Sequence, residues 1–161
     1  MSEIQWQYIF DPALAFDSVG YILKGLGYTL GISLASMIFG TVLGFLLAIM
    51  RMSNSKILRI IARTYISFMR GTPTLVFLFI LYFGFPFIGI QFEAVNAAII
   101  GFSLSSAAYS AEIIRSSLHS VAHGQWEAAY ASGLKWPFIM RTVIIPQAMR
   151  IAVPPMSNVL L

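Results

Sequence analysis

Tyr109, Glu112 and Arg115 follow one another at three-residue intervals inside an otherwise apolar stretch, residues 94–118, and that spacing puts all three on one helical face. An acid at such a depth is costly unless it is paired or hydrated, which makes Glu112 a candidate for recognising a cationic group. Two readings stay open. Glu112 and Tyr109 line one cavity that meets the ammonium of a solute, or Glu112 forms a local pair with Arg115. Arg70 poses the same question at the inner edge of another apolar run, where it is followed by Gly71, Thr72 and Pro73. Either Arg70 snorkels to the headgroups, or it holds a gate segment bent by Pro73, because proline frees a backbone carbonyl and bends a membrane helix. A guanidinium there also suits a solute carboxylate.

Other chemistries find no residues to carry them. There is no cysteine, hence no disulfide framework and no thiolate metal site. His119 and His123 share a helical face but lack the glutamate of a zinc-protease helix between them, and read as solvated loop histidines. The phosphate-loop pattern G-x4-G-K-[ST] is absent, so the chain is not expected to hydrolyse ATP alone, and no catalytic, cofactor or metal residues are assigned.

Composition sets the class. Hydrophobic residues make up 58% of the 161 and charged residues only 10%, against about 25% charged in soluble domains. An all-α integral membrane protein is expected. The net charge of +4 would suit nucleic acid, but the basic residues flank apolar runs, so no nucleic-acid partner is expected.

Along the chain, residues 1–19 hold Glu3, Asp11 and Asp17 among Trp6, Tyr8, Phe10 and Phe16, an acidic aromatic leader suited to the external membrane interface and without the basic start of a signal peptide. A first span is predicted over about 20–50. In it Ser36, Gly40, Gly44 and Ala48 recur at every fourth residue, a ridge for close helix packing or a pore-lining stripe. Residues 51–63 carry Arg51, Lys56, Arg59 and Arg63 with no acid and read as a cytoplasmic loop. A second span is placed at about 64–90 and a third at about 94–118. The third is rich in small and hydroxyl residues, with Ala97, Gly101 and Ser105 as another ridge. A fourth begins near 150 and is bent by Pro154 and Pro155. Since 151–161 is too short to cross a bilayer, the sequence is expected to stop in or before that fourth span.

The charges agree with an external N-terminus. Glu3, Asp11, Asp17 and Glu93 then lie outside with Lys24, while Arg51, Lys56, Arg59, Arg63, Lys135, Arg141 and Arg150 lie inside with Glu127. Residues 119–149 become a cytoplasmic loop. Within it, 127–132 reads as a short helix beginning near Glu127, Gly133 as a left-handed helix stop, and Trp136-Pro137 as the start of a second short helix.

Glu127-Ala128-Ala129, then Gly133, then Val143, Ile145 and Pro146 resemble the EAA loop of ABC importer permeases, E-A-A-x3-G-x9-I-x-L-P, with conservative departures at the Ile and Leu positions. Arg70-Gly71-Thr72-Pro73, Ser106-Ala107-Ala108-Tyr109, Ala111-Glu112 with Arg115, and Gly124-Gln125-Trp126 look like the polar amino acid branch of type I importers, most closely its cystine-importing members. The resemblance implies a type I ABC importer transmembrane domain over 20–161, present in part. It also implies a second permease subunit, a cytosolic ABC ATPase dimer carrying ATP and Mg, and an extracytoplasmic solute-binding protein. The solute would be a polar amino acid, with L-cystine the specific candidate, and the site a bacterial cell membrane. Glu127, Ala128, Ala129, Gly133, Leu134 and Pro146 would couple to the ATPase, Glu127 through a basic partner residue favoured by a nearby helix start, and Leu134, Trp136 and Phe138 through apolar contact. Arg70, Thr72, Pro73, Tyr109, Glu112 and Arg115 would form the substrate pathway or gate. A secondary transporter subunit, or a truncated membrane subunit that does not transport, are the competing classes.

Overall fold

The computed structural model describes residues 12–160. The leader residues 1–11, with Glu3, Trp6, Tyr8, Phe10 and Asp11, lie outside the described residues, while Phe16 and Asp17 sit on the first helix.

Helix α1, Pro12–Met52, contains the whole stretch 20–50 and ends with Arg51 in its last turn, where a cation meets the negative end of the helix dipole. Ser53 and Asn54 make the turn that follows, and the Ser55 N–H donates to Ser53 Oγ at 3.2 Å. Helix α2, Lys56–Gly71, then begins within the segment read as a loop, so Lys56, Arg59 and Arg63 are helical. The reason is a short apolar stripe among the charges. Ala62, Ile66 and Met69 follow at helical spacing and are buried against α1 and α4.

Pro73 stops α2 from continuing. Helix α3, Thr74–Phe79, leaves at a bend of 100°, runs on through one wide turn, Ile80–Gly84, and a tight one, Phe85–Ile88, and stops at Gly89 with φ 82°. The Phe85 N–H reaches five residues back to the Ile80 carbonyl, and Pro86 follows directly. The same arrangement recurs where Ile145 N–H reaches the Met140 carbonyl just before Pro146. A proline ring crowds the carbonyl four residues back, and the wider turn makes room for it.

Helix α4, Ala94–His119, is the axis of the molecule, packed on α1, α2, α3 and α7. Its contact with α1 is made by small residues. A Cβ added to Gly44 would lie 2.6 Å from Ser110 Cβ and 2.9 Å from the Ala107 carbonyl, and one added to Gly40 would strike Ser106 Oγ. Gly101 takes the Leu78 side chain in the same way. The ridge through Gly40, Gly44 and Ala48 therefore serves packing, which in lipid must come from close contact rather than from expelling water. Leu47 and Ala48 of α1, the three α2 residues, and Ala107, Ala108 and Ala111 of α4 form one buried cluster.

Helices α5, His123–Ala131, α6, Trp136–Ile139, and α7, Ile145–Leu160, complete the chain. With Val121 before α5 and Ile144 from the wide turn Met140–Ile144, their residues Ala129, Ile139 and Ala148 build a second cluster. Helices α1 and α4 are each long and apolar enough to cross a bilayer, and α2 with α3 passes the same test as a bent pair ending at Ile88.

Candidate functional site

Glu112 faces arginines on two helices. Arg115 Nε donates to its Oε1 at 3.1 Å, and the terminal nitrogen of Arg115 contacts the same oxygen. Arg51, from the end of α1, lies 3.6 Å from Oε2. That second oxygen is buried and accepts no hydrogen bond, so it meets the Arg51 charge without a bond to share. The local pair with Arg115 anticipated from spacing is formed, and a second, long-range partner joins it.

Tyr109 is on the neighbouring part of the same helix face and points elsewhere. Its ring lies under the Arg70 guanidinium, 5.5 Å from centroid to Cζ, a cation–π contact that joins the end of α2 to α4. Tyr109 also borders a cavity of about 420 Å³ between α1, α3, α4 and α7. The polar part of its wall is Ser33, Ser36, Thr74, Ser105, Ser106 and Asn158, and the apolar part Met37, Phe102 and Val159. The structure thus separates two residues that one of the two readings of their spacing puts in one cavity. Tyr109 borders the cavity, and Glu112, held by its arginines, is not part of the wall.

The wall is positioned by hydroxyl contacts between helices. Ser36 donates to the Ile99 carbonyl at 3.4 Å, and Ser106 to the Ser36 carbonyl at 3.4 Å. Thr74 and Ser105 hydroxyls are 3.1 Å apart, fixing the start of α3 to α4. Tyr65 donates to the Leu104 carbonyl at 2.9 Å. At the bend, the Thr72 N–H and hydroxyl both donate to the Phe68 carbonyl, which closes α2 before Pro73. Arg70, Thr72 and Pro73 therefore stand at the corner where α2 turns into α3, next to the cavity edge at Thr74.

The second half of the site is the α5–α6 hairpin. The Gly133 N–H donates to the Tyr130 carbonyl at 2.9 Å, and the Leu134 N–H to the Ala129 carbonyl at 3.3 Å, with Gly133 at φ 71°. This is a Schellman turn, with Leu134 packed back towards Ala129. The glycine turn and the second helix start at Trp136-Pro137 are as the spacing predicts. The first helix is not. It starts at His123, four residues earlier, so Glu127 lies in its middle and gains nothing from the helix N-terminus. Instead Glu127 Oε1 is 3.1 Å from His123 Nδ1, and both side chains are well exposed. His123 is consequently a helix residue with a partner rather than a free loop histidine.

Within Glu127-Ala128-Ala129 only Ala129 turns inward. Leu134 is half-buried in the hairpin's own core, while Trp136 and Phe138 remain 57% and 55% exposed. Pro146 is exposed on the first turn of α7, beside Gln147, whose amide donates to Gln125 Oε1 at 3.1 Å and ties α7 to α5.

Sequence reasoning missed Ser33, Thr74 and Asn158 as wall residues and Arg51 as a partner of Glu112. Ser36 and Ser105 carried a signal as hydroxyls within the two small-residue ridges, and Ser106 as one of the hydroxyl residues of 94–118. Asn158 and Arg51 come from helices distant in sequence, and no local pattern marks them.

A multi-helix membrane chain with a hydroxyl-lined cavity and a compact helix–turn–helix at the end of its central helix is the build of a transporter's membrane component. Residues 40–161 match the family model described as binding-protein-dependent transport system inner membrane component, and the chain belongs to that family. It is 59% identical over its whole length to the probable amino-acid ABC transporter permease protein YckA of Bacillus subtilis, of which it covers 71%. It is 43% identical, over 83% of its length, to the L-cystine transport system permease protein TcyB of the same organism, of which it covers 57%. A solved amino acid ABC transporter with histidines superposes with a TM-score of 0.89 at 34% identity, over 94% of this chain and 71% of that one. The MetNI methionine ABC transporter, at 24% identity and a TM-score of 0.68 over 89% of this chain and 70% of that one, shares the fold. The chain thus spans between 57% and 71% of the length of these two Bacillus relatives. They are permease components rather than enzymes, and the secondary-transporter reading finds no support among them.

Proposed function

We propose that the chain is the membrane-spanning permease subunit of an ATP-driven amino acid importer, working with a second permease subunit, a cytosolic ATPase dimer and an extracytoplasmic solute-binding protein. The observation that carries this reading is the α5–Gly133–α6 hairpin. It presents Glu127, Ala128, Trp136 and Phe138 outward on a core of its own, which suits docking to another protein.

In this reading the N-terminus is external and the hairpin cytoplasmic, on the same side as Arg51, Lys56, Arg59 and Arg63. ATP binding closes the ATPase dimer and moves the hairpin as a lever, and the helices behind it alternate the opening of the cavity. At about 420 Å³ the cavity is large enough for an amino acid, and its hydroxyl and amide wall suits a polar one. L-cystine is the candidate solute, by likeness to TcyB. Tyr109, Thr72 and Pro73 border the pathway. Arg70 stands over Tyr109 where a carboxylate could pair with it, and Glu112 with Arg115 belongs to the gate.

The test is co-purification. The membrane-extracted chain is expected to bring down an ATPase, and the variant combining Glu127→Ala with Gly133→Pro is expected to lose it. Failure of both, repeated with the chain extended to the length of its relatives, would overturn the coupling assignment.

A further inference from the structure

Helix α2 presents three different faces. Ala62, Ile66 and Met69 are buried against α1 and α4. Lys56, Arg59 and Arg63 lie at i, i+3 and i+7, one exposed stripe beside that buried face. Opposite the stripe, Ile57, Ile61 and Phe68 are exposed. The helix contains no acid, and among the described residues these three basic side chains have no carboxylate partner, Arg59 reaching only the Asn54 carbonyl at 3.4 Å. The 100° bend at Pro73 adds the orientation. If α3 runs along the membrane normal, α2 lies in the membrane plane.

We propose that α2 is an interfacial helix whose Lys56–Arg59–Arg63 stripe binds the phosphate headgroups of anionic phospholipids, with Ile57, Ile61 and Phe68 set among the acyl chains. The charge fits an anion. The apolar arc on the far side fits a lipid rather than a water-soluble acidic protein, which would leave those side chains in water. A second copy of the chain does not fit, since the stripe would meet its own like charges. The surface is distinct from the cavity and from the α5–α6 hairpin, and the proposal holds whichever solute is carried.

The experiment uses the whole chain purified in neutral detergent and follows its thermal unfolding while short-chain phosphatidylglycerol, short-chain phosphatidylcholine or glycerol phosphate is titrated in. Phosphatidylglycerol is expected to raise Tm at concentrations where the other two do not. Each basic residue near a lipid surface is worth about a fivefold change in affinity, so replacing Lys56, Arg59 and Arg63 by Gln together should weaken the phosphatidylglycerol response by roughly two orders of magnitude. Arg63→Gln alone should weaken it about fivefold and guards against misfolding of the triple variant. Arg150→Gln, a basic change on α7, should leave it in place. An equal response to phosphatidylcholine, an equal response to glycerol phosphate, or an unchanged response in the triple variant would each overturn the proposal. So would a triple variant that keeps its lipid response but loses a co-purifying protein, which would assign the stripe to that protein.

Discussion

The Arg51 guanidinium at the end of α1 lies 3.6 Å from the Glu112 carboxylate in α4, across a helix pair that packs through small residues. Because Arg115 holds the other carboxylate oxygen, one acid ties together two helices and two cations. Removing the acid leaves both guanidinium groups facing each other at the partly buried end of the α1–α4 contact. Glu112→Gln is therefore expected to destabilise the chain by about 1–3 kcal/mol. The check is a double-mutant cycle in detergent, in which Arg51→Gln should cost much less when Glu112 is already Gln. If the transport assembly carrying Glu112→Gln keeps its solute affinity while losing stability, Glu112 is a tie between helices and not a contact for the ammonium group.

Close approach of α1 and α4 makes a second prediction. At Gly44 the obstacle to a methyl group is partly backbone, the Ala107 carbonyl, so the helices must separate. Gly44→Ala should cost about 1–3 kcal/mol by overpacking. Gly40→Ala meets the hydroxyl of Ser106, which can rotate away at the loss of its bond to the Ser36 carbonyl, and its nearest backbone atom, the Ser103 carbonyl oxygen, is farther at 3.1 Å, so it should cost less. Thermal unfolding of the two variants gives the order directly, and the reverse order would refute this packing account.

Gly133 is held at φ 71°, where an L-residue costs about 1 kcal/mol or slightly more. Gly133→Ala should keep the hairpin with a modest loss of stability. Gly133→Pro removes the N–H that reaches the Tyr130 carbonyl and demands a negative φ, so the turn itself should be lost. Limited proteolysis between α5 and α6 is the readout, with faster cleavage expected in the proline variant only.

The Arg70–Tyr109 contact joins the α2 corner to the cavity edge. Tyr109→Phe keeps the ring under the cation and should leave uptake by the assembled transporter within about twofold. Tyr109→Ala loses an interaction of about 0.5–1 kcal/mol and should mobilise Arg70. A larger effect of the phenylalanine variant than of the alanine variant would move the role from the ring to the hydroxyl.

What could be read in the sequence was whatever depends on neighbours along the chain. Pro73 bends its segment, Gly133 ends a helix, Gly40 and Gly44 mark a close contact, and Arg115 meets Glu112, all from local sterics or i,i+3 geometry. The basic stretch after Arg51 misled because its charges suggested a loop, whereas Ala62, Ile66 and Met69 had enough apolar contact to keep it helical. Glu127 misled because good helix formers begin there, yet the helix already starts at His123, directly after the Val121-Ala122 turn. The cavity wall could be read only in part, through Tyr109 and the serines of α1 and α4. It needs α1 and α4 in register and α7 folded back upon them, and only then do Ser36, Ser105 and Asn158 face one space.

Helix α7 belongs to both halves of the molecule. Near its start Ala148 closes the core of the hairpin, and near its far end Asn158 stands in the cavity wall. It therefore links them as a tie-rod would, with Ala148 at the hairpin end and Asn158 at the cavity end. Pro154 and Pro155 lie within the rod between those two residues, and they are the joint at which a shift of the hairpin would be spent in bending.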